Sequence, residues 1–285
     1  MRKLLQKNHE GEQMTLKTIL ITGSTDGIGR QIALQLSRMG HKILVHGRDK
    51  EKGARVLDEI NRESCNENLA LYISDFADLT SVVQLGKEIQ REQERLDVLI
   101  HNAGVFSPRH IITRDGNELT FQVNHLAPFL LTHLLMDLMK KSAPARIVIV
   151  ASAAHYSATA DYFEDLKGEK SYSSFSAYSF SKLANILFSR ELAERLESSG
   201  VTSNSLHPGT IDTNMLRISY GGGGRSVEEG AETPIHLAIS DEVEGISGKY
   251  FSSKREKLPS DLAQNEELQK KLWKISEDLL KRFLG

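Results

Sequence analysis

The sequence predicts a single doubly wound α/β domain, with a mainly parallel sheet of about seven strands and helices on both faces. Short apolar runs rich in β-branched residues recur along the chain, and each is followed by a longer amphipathic stretch. Unbroken apolar runs suit strands buried on both faces, as in a parallel sheet. Strands alternating with helices suit right-handed crossovers that cover the sheet twice.

The first run, Thr18 to Thr22, precedes a helical pattern over Ile28 to Met39. Lys42 to His46 and Leu69 to Ile73 follow, each leading into a helix, over Glu51 to Glu63 and Leu79 to Glu92. Asp97 to His101 leads into a long pattern, Glu118 to Lys140, where Phe121, Leu126, Phe129, Leu130, Leu134 and Leu138 recur near helical spacing. Ala145 to Ala151 precedes Ser176 to Ser198, then come the run Val201 to His207 and a weaker one near Lys249 to Ser252. No repeat or linker divides the chain, and the glycine run Gly221 to Gly224 lies within the pattern.

A chain of 285 residues, 26% charged and 39% hydrophobic, has an ordinary globular composition and can bury a sizeable core. A formal charge of −2, spread over both signs, advertises neither nucleic acid nor an anionic membrane as partner. Cys65 is the single cysteine, which excludes an intramolecular disulfide and suits a reducing compartment. No apolar run approaches the ~20 residues that span a bilayer. Residues 1–14 read as a polar extension ahead of a domain over 15–285, and the expected location is cytoplasmic.

Directly after the first strand stands Thr22-Gly23-Ser24-Thr25-Asp26-Gly27-Ile28-Gly29, opening the first helix. Glycines there permit a tight turn and close approach of backbone to a pyrophosphate, while the helix N-terminus offers N–H groups to the anion. This predicts a Rossmann-type dinucleotide site. No Gly-Lys-Ser/Thr follows, which disfavours phosphoryl transfer. The second strand ends His46-Gly47-Arg48-Asp49. Arg48 is placed beside a ribose 2′-phosphate and Asp49 at the helix N-cap, so NADP(H) is expected and NAD(H) remains open. Asp26, near the expected phosphate, weighs against NADP.

Tyr178 and Lys182, four residues apart, project from one face of a helix. A free phenol has a pKa near ~10, too high for a base at neutral pH, and a nearby ammonium favours the phenolate. Ser152 stands just past the fifth strand, at the sheet edge where such folds bind ligands, and can donate to a substrate oxygen. Asn124 lies in the long helix before that strand.

These residues resemble the short-chain dehydrogenase/reductase family over nearly the whole chain, closest to its retinol-dehydrogenase-like and protochlorophyllide-reductase-like branch. The turn containing Gly23, Ser24, Thr25, Gly27, Ile28 and Gly29 looks like the family's cofactor motif. His101-Asn102-Ala103-Gly104 resembles its Asn-Asn-Ala-Gly segment, with His101 departing from the usual first Asn. Asp75 with Phe76 resembles the pair that contacts adenine, and Pro208, Gly209, Ile211 and Thr213 resemble the segment that holds the nicotinamide carboxamide. Asn124, Ser152, Tyr178 and Lys182 match its catalytic tetrad, although Ala151 replaces the first of a usual serine pair. Val123-Asn124-His125-Leu126, Ser152-Ala153-Ala154-His155 and Ser181-Lys182-Leu183-Ala184-Asn185 carry the branch assignment.

The resemblance implies hydride transfer between a nicotinamide and a carbonyl or alcohol. Tyr178 would exchange the proton, Ser152 would hold the oxygen, Lys182 would lower the tyrosine pKa and grip the ribose, and Asn124 would position a relaying water. A greasy small molecule is the expected substrate, from the apolar residues between Thr213 and Val227, where the glycines also suggest a segment that orders on binding. A homodimer or homotetramer is the assembly the family suggests. Two alternatives stand: a catalytically silent cofactor-binding regulator or scaffold, which needs the glycine turn but not Tyr178, and a lyase or epimerase on a related fold. His125, His133, His155 and His207 are scattered without ligand spacing, so no metal is expected.

Overall fold

Runs of isoleucine, leucine and valine suit strands covered on both faces, and Thr18–Ile21 and Val98–His101 are buried throughout. The computed structural model describes residues 5–7 and 13–284. Two short strands, β1 (Leu5–Lys7) and β2 (Gln13–Thr15), pair as an antiparallel ribbon. The rest of the expected polar extension, residues 1–4 and 8–12, lies outside the described residues.

The apolar runs become β3 (Thr18–Ile21), β4 (Lys42–Gly47), β5 (Leu69–Ile73), β6 (Val98–His101), β7 (Ala145–Val150), β8 (Val201–His207) and β9 (Tyr250–Ser252). With β10 (Arg255–Lys257) they form one eight-stranded sheet, ordered β5-β4-β3-β6-β7-β8-β9-β10. Every pairing is parallel except that of β10 on β9. The eighth strand corrects the expected count of seven. Its three residues are exposed and charged, so no apolar signature marks it. The turn before it places Ser253 and Lys254 at φ 51° and 60°, a hairpin geometry normally signalled by Asn-Gly.

The helices are α1 (Gly27–Arg38), α2 (Lys50–Ser64), α3 (Leu79–Glu92), α4 (Leu119–Phe121), α5 (Ala127–Lys141), α6 (Ser174–Arg195), α7 (Asn214–Tyr220), α8 (Val227–Ile239), α9 (Asp261–Gln264) and α10 (Glu266–Leu280). One apolar core lies under α1, α2 and α8, through Ile32, Leu36, Ile60 and Ile235. The other lies under α3, α5, α6 and α10, through Val82, Leu130, Phe180 and Leu272.

Two elements depart from the sequence pattern. The long helix expected over 118–140 is broken by a five-residue π turn, Gln122–Leu126, between α4 and α5. Pro128 stands four residues beyond Asn124 and has no N–H to close an α-helical bond to its carbonyl. The apolar stretch after Thr213, expected as a loop, forms α7, capped by the Thr213 side chain and ended by Gly221 in the left-handed conformation.

The chain runs outward from β3 to β4 and β5, then returns to place β6 on the other side of β3. That reversal opens a crevice at the carboxyl ends of β3 and β6, where folds of this kind hold their ligands.

Candidate active site

The glycine turn leaves β3 at that crevice. A Cβ on Gly23 would stand 2.8 Å from the Ala103 Cα, and one on Gly29 only 2.3 Å from the Gly23 carbonyl oxygen, so the turn is closed against itself and against the β6 loop. Asn102 fastens it, donating from Nδ2 to the carbonyls of Thr22 (3.0 Å) and Gly23 (3.1 Å). The N–H groups of Asn102 and Ala103 both donate to the Thr22 hydroxyl at 3.0 Å. Asp26 caps α1 through the Gly27 N–H, and the amides of Ile28 and Gly29 find no side-chain cap.

Ser24 turns its hydroxyl into the protein. Its hydroxyl is buried, donates to the Ile21 carbonyl at 2.8 Å and accepts from the His46 N–H at 2.9 Å. Thr25 lies against Gly47, where a Cβ would meet its methyl at 2.6 Å, so the glycine turn and the end of β4 touch.

His46 is a residue that sequence reasoning left as a strand end. Its Nδ1 accepts from the Gly23 N–H at 3.0 Å while Nε2–H donates to the Ser74 carbonyl at 3.2 Å, which fixes one tautomer. Burial pushes the ring down to about 4, so it is neutral at pH 7. The signal that could have found it is a histidine ending the strand opposite a glycine turn.

At the far end of the crevice Arg48 is exposed. Asp49 is committed as the N-cap of α2, accepting from the Lys52 N–H at 2.9 Å. Asp75 is exposed and caps its own turn through the Ala77 N–H at 2.9 Å. The Phe76 ring is buried against His46, 4.7 Å between centroids, which leaves its main chain for any adenine contact. On the near side, Thr213 lies over Gly27, where a Cβ would meet its methyl at 3.3 Å. Gly209 adopts φ 101°, and Ile211 is buried against Gly230. The Pro208–Thr213 segment therefore folds back over the glycine turn.

Tyr178 and Lys182 stand on the first turns of α6. The Lys182 Nζ lies 5.6 Å from the centre of the Tyr178 ring. It is buried, donates to the Val150 carbonyl at 3.0 Å, and burial lowers it to about 8. Val150 ends β7, so this bond ties the lysine to the strand end that carries Ser152 two residues on. An amide N–H of Ala154 reaches the Ser152 hydroxyl at 3.1 Å. His155 Nδ1–H donates to the Ser152 carbonyl at 2.6 Å, and its Nε2 accepts from the Ser260 N–H at 3.1 Å.

Asn124, in the π turn, bonds its neighbours through both ends of its amide. Its Oδ1 accepts from the Val105 N–H at 2.7 Å, and Nδ2 donates to the Val105 carbonyl at 3.0 Å and to the Ser181 hydroxyl at 2.9 Å. Gly104 lets three side chains close on this junction. A Cβ there would lie 3.3 Å from Asn124 Oδ1, 3.5 Å from Lys182 Nζ and 3.7 Å from the Met215 methyl. Phe106 meets Tyr178 edge-on at 5.7 Å. Phe106 was not singled out from the sequence, where nothing marks it; Met215 belongs to the apolar stretch after Thr213 from which a greasy substrate is expected.

Two further histidines are held by hydroxyls. His101 Nε2, at the position that departs from the usual Asn, bonds the Thr132 hydroxyl at 2.7 Å. His125 Nε2 bonds the Ser276 hydroxyl at 2.7 Å, joining the π turn to α10.

A nicotinamide dinucleotide fits these donors. The uncapped amides of α1 suit a pyrophosphate, and a buried ammonium with one hydrogen-bond partner named above suits ribose hydroxyls.

The short chain dehydrogenase family profile matches residues 17–220. Mouse retinol dehydrogenase 14 is 42% identical, covering 92% of this chain and 85% of its own. Human retinol dehydrogenase 13 is 40% identical over 93% of this chain and 84% of its own. Among solved structures, an Escherichia coli CFT073 short chain dehydrogenase complexed with NADPH is 25% identical, with a TM-score of 0.69 over 84% of this chain and 97% of that one.

Proposed function

The chain belongs to the short-chain dehydrogenase family, in its retinol-dehydrogenase-like branch, and from that membership we propose an NADP-dependent enzyme that interconverts a carbonyl and an alcohol on a hydrophobic small molecule. Dependence on a nicotinamide cofactor comes with the family; the preference for NADP and the substrate class are the proposal. One observation carries the preference. Asp49, the acid that could hold the ribose hydroxyls of NAD, is turned into the cap of α2, while Arg48 stays exposed at the end of β4. An arginine there accommodates a 2′-phosphate, whereas an acid repels it.

When bound, the nicotinamide supplies or takes the hydride. Everything else falls to the chain. Ser152 donates a hydrogen bond to the substrate oxygen and steadies the charge that develops on it. Tyr178 delivers the proton to that oxygen in reduction and removes it in oxidation. Lys182 is desolvated yet mainly protonated at pH 7, with a value of about 8. Its charge favours the tyrosinate, and its remaining N–H groups serve the ribose hydroxyls. Asn124 acts as a brace between the β6 loop and α6, because its amide bonds Val105 on one side and Ser181 on the other. Any water relay to Lys182 then starts from the main chain of the π turn, where Pro128 withholds a donor from the Asn124 carbonyl.

Phe106 and Met215 support the hydrophobic class, since both bring apolar surface to the reacting groups. The cytoplasm is the proposed location, resting on the single, exposed thiol of Cys65; cell fractionation tests it.

A fluorescence titration with NADPH and with NADH tests the cofactor preference, and turnover of a series of hydrophobic aldehydes and ketones tests the class. Tighter binding of NADPH, with turnover rising along the apolar series, is the expected result. Tighter binding of NADH overturns the reading of Arg48. Binding without turnover of any carbonyl or alcohol points to a silent cofactor-binding protein.

A further inference from the structure

Arg48, Asp26 and Lys52 border the opening between the glycine turn and the end of β4, and of these Lys52 has no role so far. Asp26, the residue that weighed against NADP, does not present a bare carboxylate. Its Oδ2 accepts from the Lys52 ammonium at 2.6 Å and from the Asn214 amide at 3.1 Å, while Oδ1 caps the Gly27 N–H at 2.8 Å. Lys52 follows Arg48 by four residues, in the first turn of α2. The contact of Thr25 with Gly47 brings residue 26 alongside the strand end that carries Arg48. Lys52 and Asp26 are both partly exposed, with 41% and 54% of their side chains open to solvent.

We propose that Lys52 is a second cation for the 2′-phosphate of NADP, held across the opening by Asp26 as its resting counter-ion. The inference rests on the NADP reading and deepens it. An ammonium on a flexible stem can leave one anion for another without disturbing the backbone. A phosphate carries nearly twice the charge of a carboxylate and outcompetes it for a lysine at close range. Asp26 keeps its cap on α1 and its bond to Asn214, so the exchange costs neither helix its anchor. The same arrangement explains how an acid is tolerated beside a phosphate site: Lys52 neutralises it.

The charges make a pattern that a merely structural ion pair cannot reproduce. Lys52→Met removes the cation and exposes the Asp26 carboxylate to the phosphate. Asp26→Asn keeps the capping ability, since Asn caps helices as well as Asp, and removes only the charge. Dissociation constants for NADPH and NADH are measured by nucleotide fluorescence on the full chain, with thermal melts as a check on folding. Lys52→Met is expected to weaken NADPH by about tenfold or more, the worth of one charge-assisted phosphate bond, and to move NADH by less than about twofold. Adding Asp26→Asn to Lys52→Met recovers part of the lost NADPH affinity, and Lys52→Arg keeps most of it.

Equal weakening of both nucleotides makes Lys52 a brace of α2 and overturns the inference, as does no change in either. If the unaltered protein prefers NADPH and Arg48→Ala abolishes that preference while Lys52→Met does not, this inference alone falls. If the unaltered protein prefers NADH, the NADP reading falls first.

Discussion

Two histidines bracket the crevice from opposite ends, doing similar work in opposite tautomers. On the cofactor side His46 carries its proton on Nε2 and accepts from the glycine turn through Nδ1. On the substrate side His155 carries its proton on Nδ1, gives it to the Ser152 carbonyl, and accepts from Ser260 through Nε2. Both bridge main-chain atoms far apart in sequence, and both are kept neutral by burial. Around them the regions differ. Asn102, Ala103 and His46 all bond the glycine turn. The substrate side is bounded by α7, a glycine run and exposed apolar residues such as Ile218 and Leu258. A shared cofactor asks for one fixed shape, whereas a substrate pocket is free to vary.

That contrast can be broken by separating chemistry from binding. The largest expected effect is Tyr178→Phe, which removes the transferable proton and should lower kcat by about a hundred- to ten-thousandfold. NADPH affinity in the same variant stays within about twofold. Near-normal turnover would show that another group moves the proton.

The two brackets should fail differently. His46→Ala leaves the Gly23 amide and the Ser74 carbonyl without partners and is expected to weaken NADPH and NADH alike, by about tenfold. His155→Ala removes the ring bond to the Ser152 carbonyl, which keeps the main-chain N–H of residue 155, and takes the partner from the Ser260 amide; it should lower kcat by about tenfold and leave nucleotide affinity unchanged. Titration and steady-state kinetics on the same preparations compare them, and a common pattern in both variants would erase the distinction. A smaller effect sharpens the substrate side. Met215→Ala should raise KM severalfold for long apolar carbonyls and little for short ones, with kcat nearly constant.

The mildest test is acid. His41 and His46 are pushed down to about 4, and His101 and His125 to about 3, all by burial first. Each takes up a proton more readily in the unfolded chain, near ~6.5, than in the folded one. Stability is therefore fully present above that pH and is lost as the pH falls toward 4 and 3. Melting temperatures recorded from pH 7 to pH 4 should drop by more than about 5 °C. A flat profile would mean that these rings stay solvated.

The frame was legible because its signals are local. Apolar runs gave the parallel strands, the glycine spacing gave the turn, and Tyr178 with Lys182 stood at one helical repeat. The missed features depend on chain brought from elsewhere. Nothing near His46 predicts that Gly23 and Ser74 will reach it, and Lys52 reads as an ordinary helix lysine until Asp26 arrives beside it. The π turn escaped because the hydrophobic rhythm continues across it, and the local cue, Pro128 four residues after Asn124, looks like an ordinary early-helix proline.

The charged edge strand bears on how copies of this chain can meet. A free sheet edge is a template for another chain's backbone. If two β10 strands paired antiparallel about Glu256, that carboxylate would face its own copy and Arg255 would face Lys257, like charge against like at every position. Sheet extension in that register is therefore repelled.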